Sequence, residues 1–299
     1  MERIIFGFIL GSVIGSFLDC IANRSFTKQS FLGRSFCDNC KKTLPWFCLI
    51  PIFSFIALKG RCYFCHKKIS YESTLVEIVT GLLTGFILFT SIPMGIFEQS
   101  WLDQVPLFLD NIFKLFAIYV FIIVFITDIK SGLIPDRITY PSIIIAAVYL
   151  IIASIIKVSI FYYSLKLSVL GQYLLPPNSD YFYRHVMTYI QLIGWSYASG
   201  IGIGLFFLIL ILVTKGRGMG GGDMKLGVFI GLVLSFPHSL AALMLAFLFG
   251  SVLGVGLIIS RLKKFGETIP FGPFLSLASI IILIWGDQII NWYLNFNLF

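Results

Sequence analysis

Eight apolar stretches divide the chain. They run from about Ile4 to Ile21, Thr74 to Ile92, Asn111 to Thr127, Pro141 to Ile156, Ile190 to Val213, Leu226 to Phe236, Ser239 to Ile259 and Phe271 to Trp285. Runs approaching 20 residues with few charges read as transmembrane helices. The fourth and sixth fall short of a full crossing, and glycines interrupt the sixth. The pattern predicts an all-α polytopic membrane protein of about eight transmembrane helices. The first helix occupies 1–22, a cytoplasmic loop 23–73, and a seven-helix unit 74–299. A signal peptide is disfavoured for the first stretch, which lacks a small-x-small cleavage site and runs past Asp19 and Arg24 into a basic loop.

Composition agrees with that reading. Of the 299 residues 58% are apolar and only 12% charged, against about 25% charge in an ordinary soluble domain. Disorder is excluded as well, since it needs low hydrophobicity and high charge. The formal charge of +8 is unevenly placed. Nine Lys/Arg lie in 23–73: Arg24, Lys28, Arg34, Lys41, Lys42, Lys59, Arg61, Lys67 and Lys68. None lies in 93–110, which carries Glu98, Asp103 and Asp110. Lys130 and Arg137, then Lys215, Arg217 and Lys225, then Arg261, Lys263 and Lys264 fill three further alternating segments. Cytoplasmic loops are the Lys/Arg-rich ones. An eight-span topology with both termini outside puts 17 of the 22 basic residues in the cytoplasm. The positive balance is therefore topological and calls for no nucleic acid. Segment 157–189, rich in tyrosine (Tyr162, Tyr163, Tyr173, Tyr181 and Tyr183 among them) and containing Pro176-Pro177, is expected to be an extracytoplasmic loop insert with interfacial aromatics.

Four of the six cysteines form two pairs. Cys37-x-x-Cys40 and Cys62-x-x-Cys65, separated by 21 residues, have the spacing of a four-cysteine zinc site. Two turns carrying two thiolates each make a closed tetrahedral shell, which is structural rather than catalytic. Disulfides or a redox pair are the competing readings, and both are disfavoured in a reducing cytoplasm. Cys20 and Cys48 have no partner at ligand spacing, and His66 is a weak competitor. Metal binding would supply folding energy to a loop with little core of its own.

Acidic groups flush with the spans are costly and are candidates for function. Asp19, Glu77, Asp128, Asp136 and Asp223 meet that test. Asp128 closes the third apolar run, and Asp223 ends Gly220-Gly221-Gly222-Asp223 before the sixth. Both are expected at one membrane face. The glycine run permits positive φ and close backbone approach, and places Asp223 in an irregular loop lining a cavity. Two facing aspartates can share one proton, so that one acts as base and the other as acid toward a water attacking a peptide carbonyl. The bland alternative is a snorkelling charge or helix cap. A phosphate-binding loop is disfavoured, because the run lacks a Gly-Lys-Ser/Thr ending.

These residues resemble an ordered set of motifs in the bacterial type IV prepilin leader peptidase / N-methyltransferase family, the GxGD membrane aspartyl proteases. The set begins with Gly15-Ser16-Phe17-Leu18 and Arg24. It continues through Arg34-Ser35-x-Cys37-x-x-Cys40, Ile50-Pro51, Gly60-Arg61-Cys62-x-x-Cys65 and Ile69-Ser70-Tyr71. Val76-Glu77 and Thr80-Gly81 follow, then Asp128 with Ile134-Pro135-Asp136, then Gly220-x-Gly222-Asp223-x-Lys225-Leu226.

The resemblance implies an endopeptidase that removes the leader of type IV prepilins and pseudopilins at the cytoplasmic face of the inner membrane. By position Asp128 and Asp223 would be catalytic, with Gly220, Gly222, Lys225, Pro135 and Asp136 supporting. The four-cysteine loop would hold Zn2+ as in bifunctional members, which also N-methylate the new terminus with S-adenosylmethionine. Glu77 and Gly81 are candidates for that activity or for structure. Three features depart from the family. Asp19 stands where Asn is frequent, Tyr71-Glu72-Ser73 replaces Arg-Tyr-Pro, and the separation of Asp128 from Asp223 is long, an excess assigned to 157–189. A peptidase without methylation is the nearer alternative. A transporter relaying protons through its carboxylates is the other, and the repeated halves expected of it are not seen.

Overall fold

The computed structural model describes residues 2–27, 30, 33–37, 39–91, 101–177, 179–216, 218–264 and 269–296. Lys28, Ile92, Glu98 and Arg217 of the reading above lie outside them. Among the described residues the regular structure is helical, apart from two isolated antiparallel bridges.

The long helices are α1 (Glu2–Thr27), α3 (Glu72–Ser91), α4 (Trp101–Ser131), α5 (Asp136–Leu167), α6 (Tyr181–Val213), α8 (His238–Ile259) and α9 (Gly272–Phe296). These seven are long and apolar enough to cross a membrane. The sixth apolar stretch is the exception. It forms α7 (Gly221–Leu234), whose 14 residues rise only about 21 Å. A short α2 (Phe53–Ala57) lies in the loop after α1.

Close packing without a hydrophobic drive explains where the glycines fall. In a membrane, helices associate through small residues that let backbones approach. Gly7, Gly11 and Gly15 recur every four residues along α1 and face α3, Gly7 against Gly85, Gly11 against Thr80 and Thr84, and Gly15 against Glu77 and Thr80. A Cβ on Gly11 would sit 2.6 Å from Thr84 Oγ1 and 2.7 Å from the Thr80 carbonyl oxygen. A second such seam joins α6 to α7, where Gly231 abuts Gly200 and a Cβ on Gly204 would meet Val228 Cγ2 at 2.6 Å. Those pairings make α7 antiparallel to α6. Its far end lies by Trp195, whose ring is 5.5 Å from that of Phe236. α4 is the hub, with Ala117, Ile118, Phe121 and Val124 fully buried.

Two expectations are corrected. The insert 157–189 is mostly helix, because α5 continues to Leu167 and α6 begins at Tyr181. Residues 157–167 contain no glycine or proline to stop a helix, and Lys157 is held by Asp110 at 2.8 Å. Only 168–180, where Gly171 and Pro176-Pro177 lie, connects the two. The predicted fourth span, 141–156, is thus the middle of a 32-residue helix. The second correction concerns the glycine run. Gly220 has φ −92°, and Gly221 and Gly222 open α7, so Asp223 stands on the first turn of a helix rather than in an irregular loop.

Candidate active site and metal centre

The two site aspartates come from different elements that converge at one end of the bundle. Asp128 is on the last turn of α4 and Asp223 on the first turn of α7. They are 4% and 9% exposed, and the Asp128 charge acts directly on Asp223. Each carboxylate is oriented by a backbone N–H. Asp223 Oδ2 accepts from the Gly220 N–H at 3.2 Å, the return half of a capping interaction. Asp128 accepts from the Gly272 N–H, at the start of α9.

Close approach is what the site glycines supply. A Cβ on Gly222 would lie 2.9 Å from Ile134 Cβ. One on Gly272 would lie 2.6 Å from Asp128 Oδ2 and 3.2 Å from Ile134 Cδ1. Ile134 therefore fills the space between α7 and α9, directly before Pro135. Pro135, at φ −75°, precedes α5 and sets its entry angle. Asp136 begins α5 and takes Lys225 Nζ at 2.6 Å. The Lys225 ammonium also stands 4.6 Å from the centroid of the Tyr140 ring. Lys225, Asp136 and Pro135 thus tie the starts of α5 and α7 beside the aspartates. Gly272 was absent from the sequence reading. The signal for it was Gly272-Pro273 opening the eighth apolar stretch, since proline is favoured in a first helical turn.

Glu77 and Gly81 lie elsewhere, in the α1–α3 seam. Glu77 is 7% exposed, accepts the Ile52 N–H at 2.8 Å and takes a further bond from Ser16. Gly81 packs on Ser12 and Phe8. Asp19 pairs with Lys130 at 3.4 Å, and the same Nζ reaches Asn23 at 3.0 Å and Glu72 at 3.4 Å.

Cys37, Cys40, Cys62 and Cys65 form one group, with all four Sγ atoms within 4.8 Å of one another. The bridges Phe36↔Thr43 and Arg61↔Lys68 close the two turns that carry them. Zn–S bonds of about 2.3 Å in a tetrahedron require Sγ separations of about 3.8 Å. Cys37 Sγ and Cys65 Sγ are 3.9 Å apart, and the other separations, at up to 4.8 Å, bring the group near the spacing that zinc requires. The Lys67 N–H, then Asn39, hold the Cys65 thiol down to about 6. Cys40 is drawn down by the Lys42 N–H, but desolvation and the neighbouring Cys37 and Cys65 sulfurs win and push it up to about 11. His66, Cys20 and Cys48 stand outside this group.

Residues 9–91 match the Bacterial Peptidase A24 N-terminal domain, and residues 181–255 the Type IV leader peptidase family. Proteins named prepilin leader peptidase/N-methyltransferase are similar over most of the chain. That of Bacillus subtilis (strain 168) is 30% identical over 293 residues, 97% of this chain and 98% of its own. That of Aeromonas salmonicida is 30% identical over 262 residues, covering 88% and 75%. The chain belongs to the type IV leader peptidase family. Legionella pneumophila has another relative, 29% identical over 267 residues, which span 89% of this chain and 77% of that protein. No solved structure matches the chain. The N-terminal match covers the cysteine group and the α1–α3 seam, and the second covers Gly220 to Asp223.

Proposed function

We propose that this multi-pass membrane protein is a prepilin leader peptidase and N-methyltransferase in which Asp128 and Asp223 carry out the cleavage. The observation that carries the assignment of residues is the convergence of two nearly buried carboxylates, each oriented by a backbone N–H at a helix start. Two like charges that act on each other in a low-dielectric site favour one shared proton. The ionised member takes a proton from water as the oxygen attacks the scissile carbonyl, and the protonated member gives its proton to the carbonyl oxygen. Collapse of that intermediate returns a proton to the leaving amine and frees the new N-terminus. The substrates are prepilins and pseudopilins. With the basic segments in the cytoplasm and the short α7 completing an eighth crossing between α6 and α8, the aspartates face the cytoplasm and both termini lie outside. On this reading 23–73 is the zinc-binding module and 74–299 the peptidase unit.

Zinc fits the four-cysteine group in a structural role, holding two turns together with no open coordination position. When bound, S-adenosylmethionine supplies an electrophilic methyl group for the freed amine. Glu77 accepts from Ile52 and Ser16 in the α1–α3 seam, which supports a structural part for it there.

The test is Asp128→Asn and Asp223→Asn, which keep shape and remove the charge. Each variant should insert and unfold like the wild type, yet leave a prepilin uncut in a gel-shift assay. Normal processing by either one would refute the assignment. Mass spectrometry of the pilin processed by the wild-type enzyme should show the added mass of one methyl group.

A further inference from the structure

The loop after α1 also carries a segment that lies apart from the cysteine group. Its middle segment returns to the side of α3, where the Ile52 N–H reaches Glu77 Oε2 at 2.8 Å. Glu77 lies five residues into the α3 span, which begins at Glu72, so the contact is about 7.5 Å along the helix from its start. With α3 entering the bilayer at its first turn, that position corresponds to the boundary between headgroups and acyl chains, where interfacial helices rest. Ile52 is held there at φ +62°, a costly conformation for a β-branched residue that the Glu77 bond stabilises.

α2 follows at once, and it is two-sided. Phe55 packs inward on the Gly60 turn, where a Cβ would lie 3.0 Å from its ring. Phe53 and Ile56, three residues apart, point outward and are 66% and 68% exposed. Trp46 is 77% exposed just upstream. Lys59 and Arg61 follow directly, and Lys67 and Lys68 lie on the second cysteine turn. Phe47 stacks edge-on to Tyr63 at 5.4 Å, which couples this surface to that turn.

We propose that Trp46, Phe53 and Ile56 form a re-entrant anchor seated in the lipid interface, with the lysines and Arg61 meeting anionic headgroups. Exposed apolar side chains of this size at that depth have acyl chains as their natural cover. The adjoining positive charge complements an anionic leaflet. Glu77 is then the fastener that holds the anchor at its depth.

Full-length protein reconstituted in phosphatidylcholine/phosphatidylglycerol vesicles, with and without acyl-chain bromine, tests this. Five tryptophans emit, so the Trp46 share is the difference between wild type and Trp46→Phe. That share should be blue-shifted and lose most of its intensity to brominated lipid. In Phe53→Ser/Ile56→Ser the quenching should fall while Tm in detergent is unchanged. Glu77→Gln should weaken the quenching as well. Replacing phosphatidylglycerol by phosphatidylcholine should reduce it less than the serine pair does. A water-like Trp46 emission untouched by bromine overturns the proposal. So does an emission that shifts only when prepilin is added, which would make the surface a protein dock.

Discussion

Gly272 shows how far a single missing side chain reaches. Its N–H holds Asp128, and a methyl group there would collide with the carboxylate it serves. Gly272→Ala should therefore cut cleavage at least tenfold, equivalent to about 1.4 kcal/mol in the barrier. The variant should change kcat more than KM. The cysteines make a second prediction at this scale. Near neutral pH Cys65 is already largely ionised, whereas Cys40 keeps its proton up to about 11. Metal binding must displace that proton, so affinity rises with pH through this interval. Calorimetry in buffers of different ionisation enthalpy should record proton release at pH 7. Mutating Cys40 to Ser should reduce that release along with the affinity. The grouping of the four cysteines was legible because two pairs at fixed spacing on two turns can converge. Gly272 was not, because its role is defined by a neighbour 144 positions earlier.

At the scale of elements, the seam between α1 and α3 is set by residues that are absent in bulk rather than present. Gly11→Leu would press on Thr80 and Thr84, and overpacking of this kind costs about 1–3 kcal/mol. A lowered Tm in detergent is the check. The same seam sets Asp19 and Glu72 around Lys130, two residues beyond Asp128. Lys130→Met would leave Asp19 without its cation and slow cleavage. In a double-mutant cycle with Asp19→Asn the losses should be less than additive, with a coupling of about 1 kcal/mol. Helix identity was readable from apolar runs. Helix ends were not, since α5 and α6 carry on through tyrosines and lysines that mark an interface in hydropathy but do not interrupt backbone hydrogen bonding. The short α7 looked like a weak span for the right reason, its length. Of the two uses expected of its glycine run, positive φ and close backbone approach, the structure shows the second, at Gly222 against Ile134, while Gly227 and Gly231 make like contacts with Ile203 and Gly200.

The whole molecule places its chemistry at one end. α4 finishes, α5 and α7 begin, and α9 starts at the aspartates, while the cysteine loop joins α1 to α3. The opposite end is different in kind. α5 and α6, at 32 and 33 residues, run about 50 Å, well beyond a hydrocarbon layer of about 30 Å. Their shared tip, with Val169 and Leu170 largely exposed, stands clear of everything the enzyme needs for catalysis. That overhang is a built-in compass. A protease site grafted at 168–170 and another grafted beside the cysteine turns report from opposite sides of the bilayer. In sealed vesicles of known sidedness, only one of them can be reached from the lumen, and which one it is fixes the direction in which the enzyme faces.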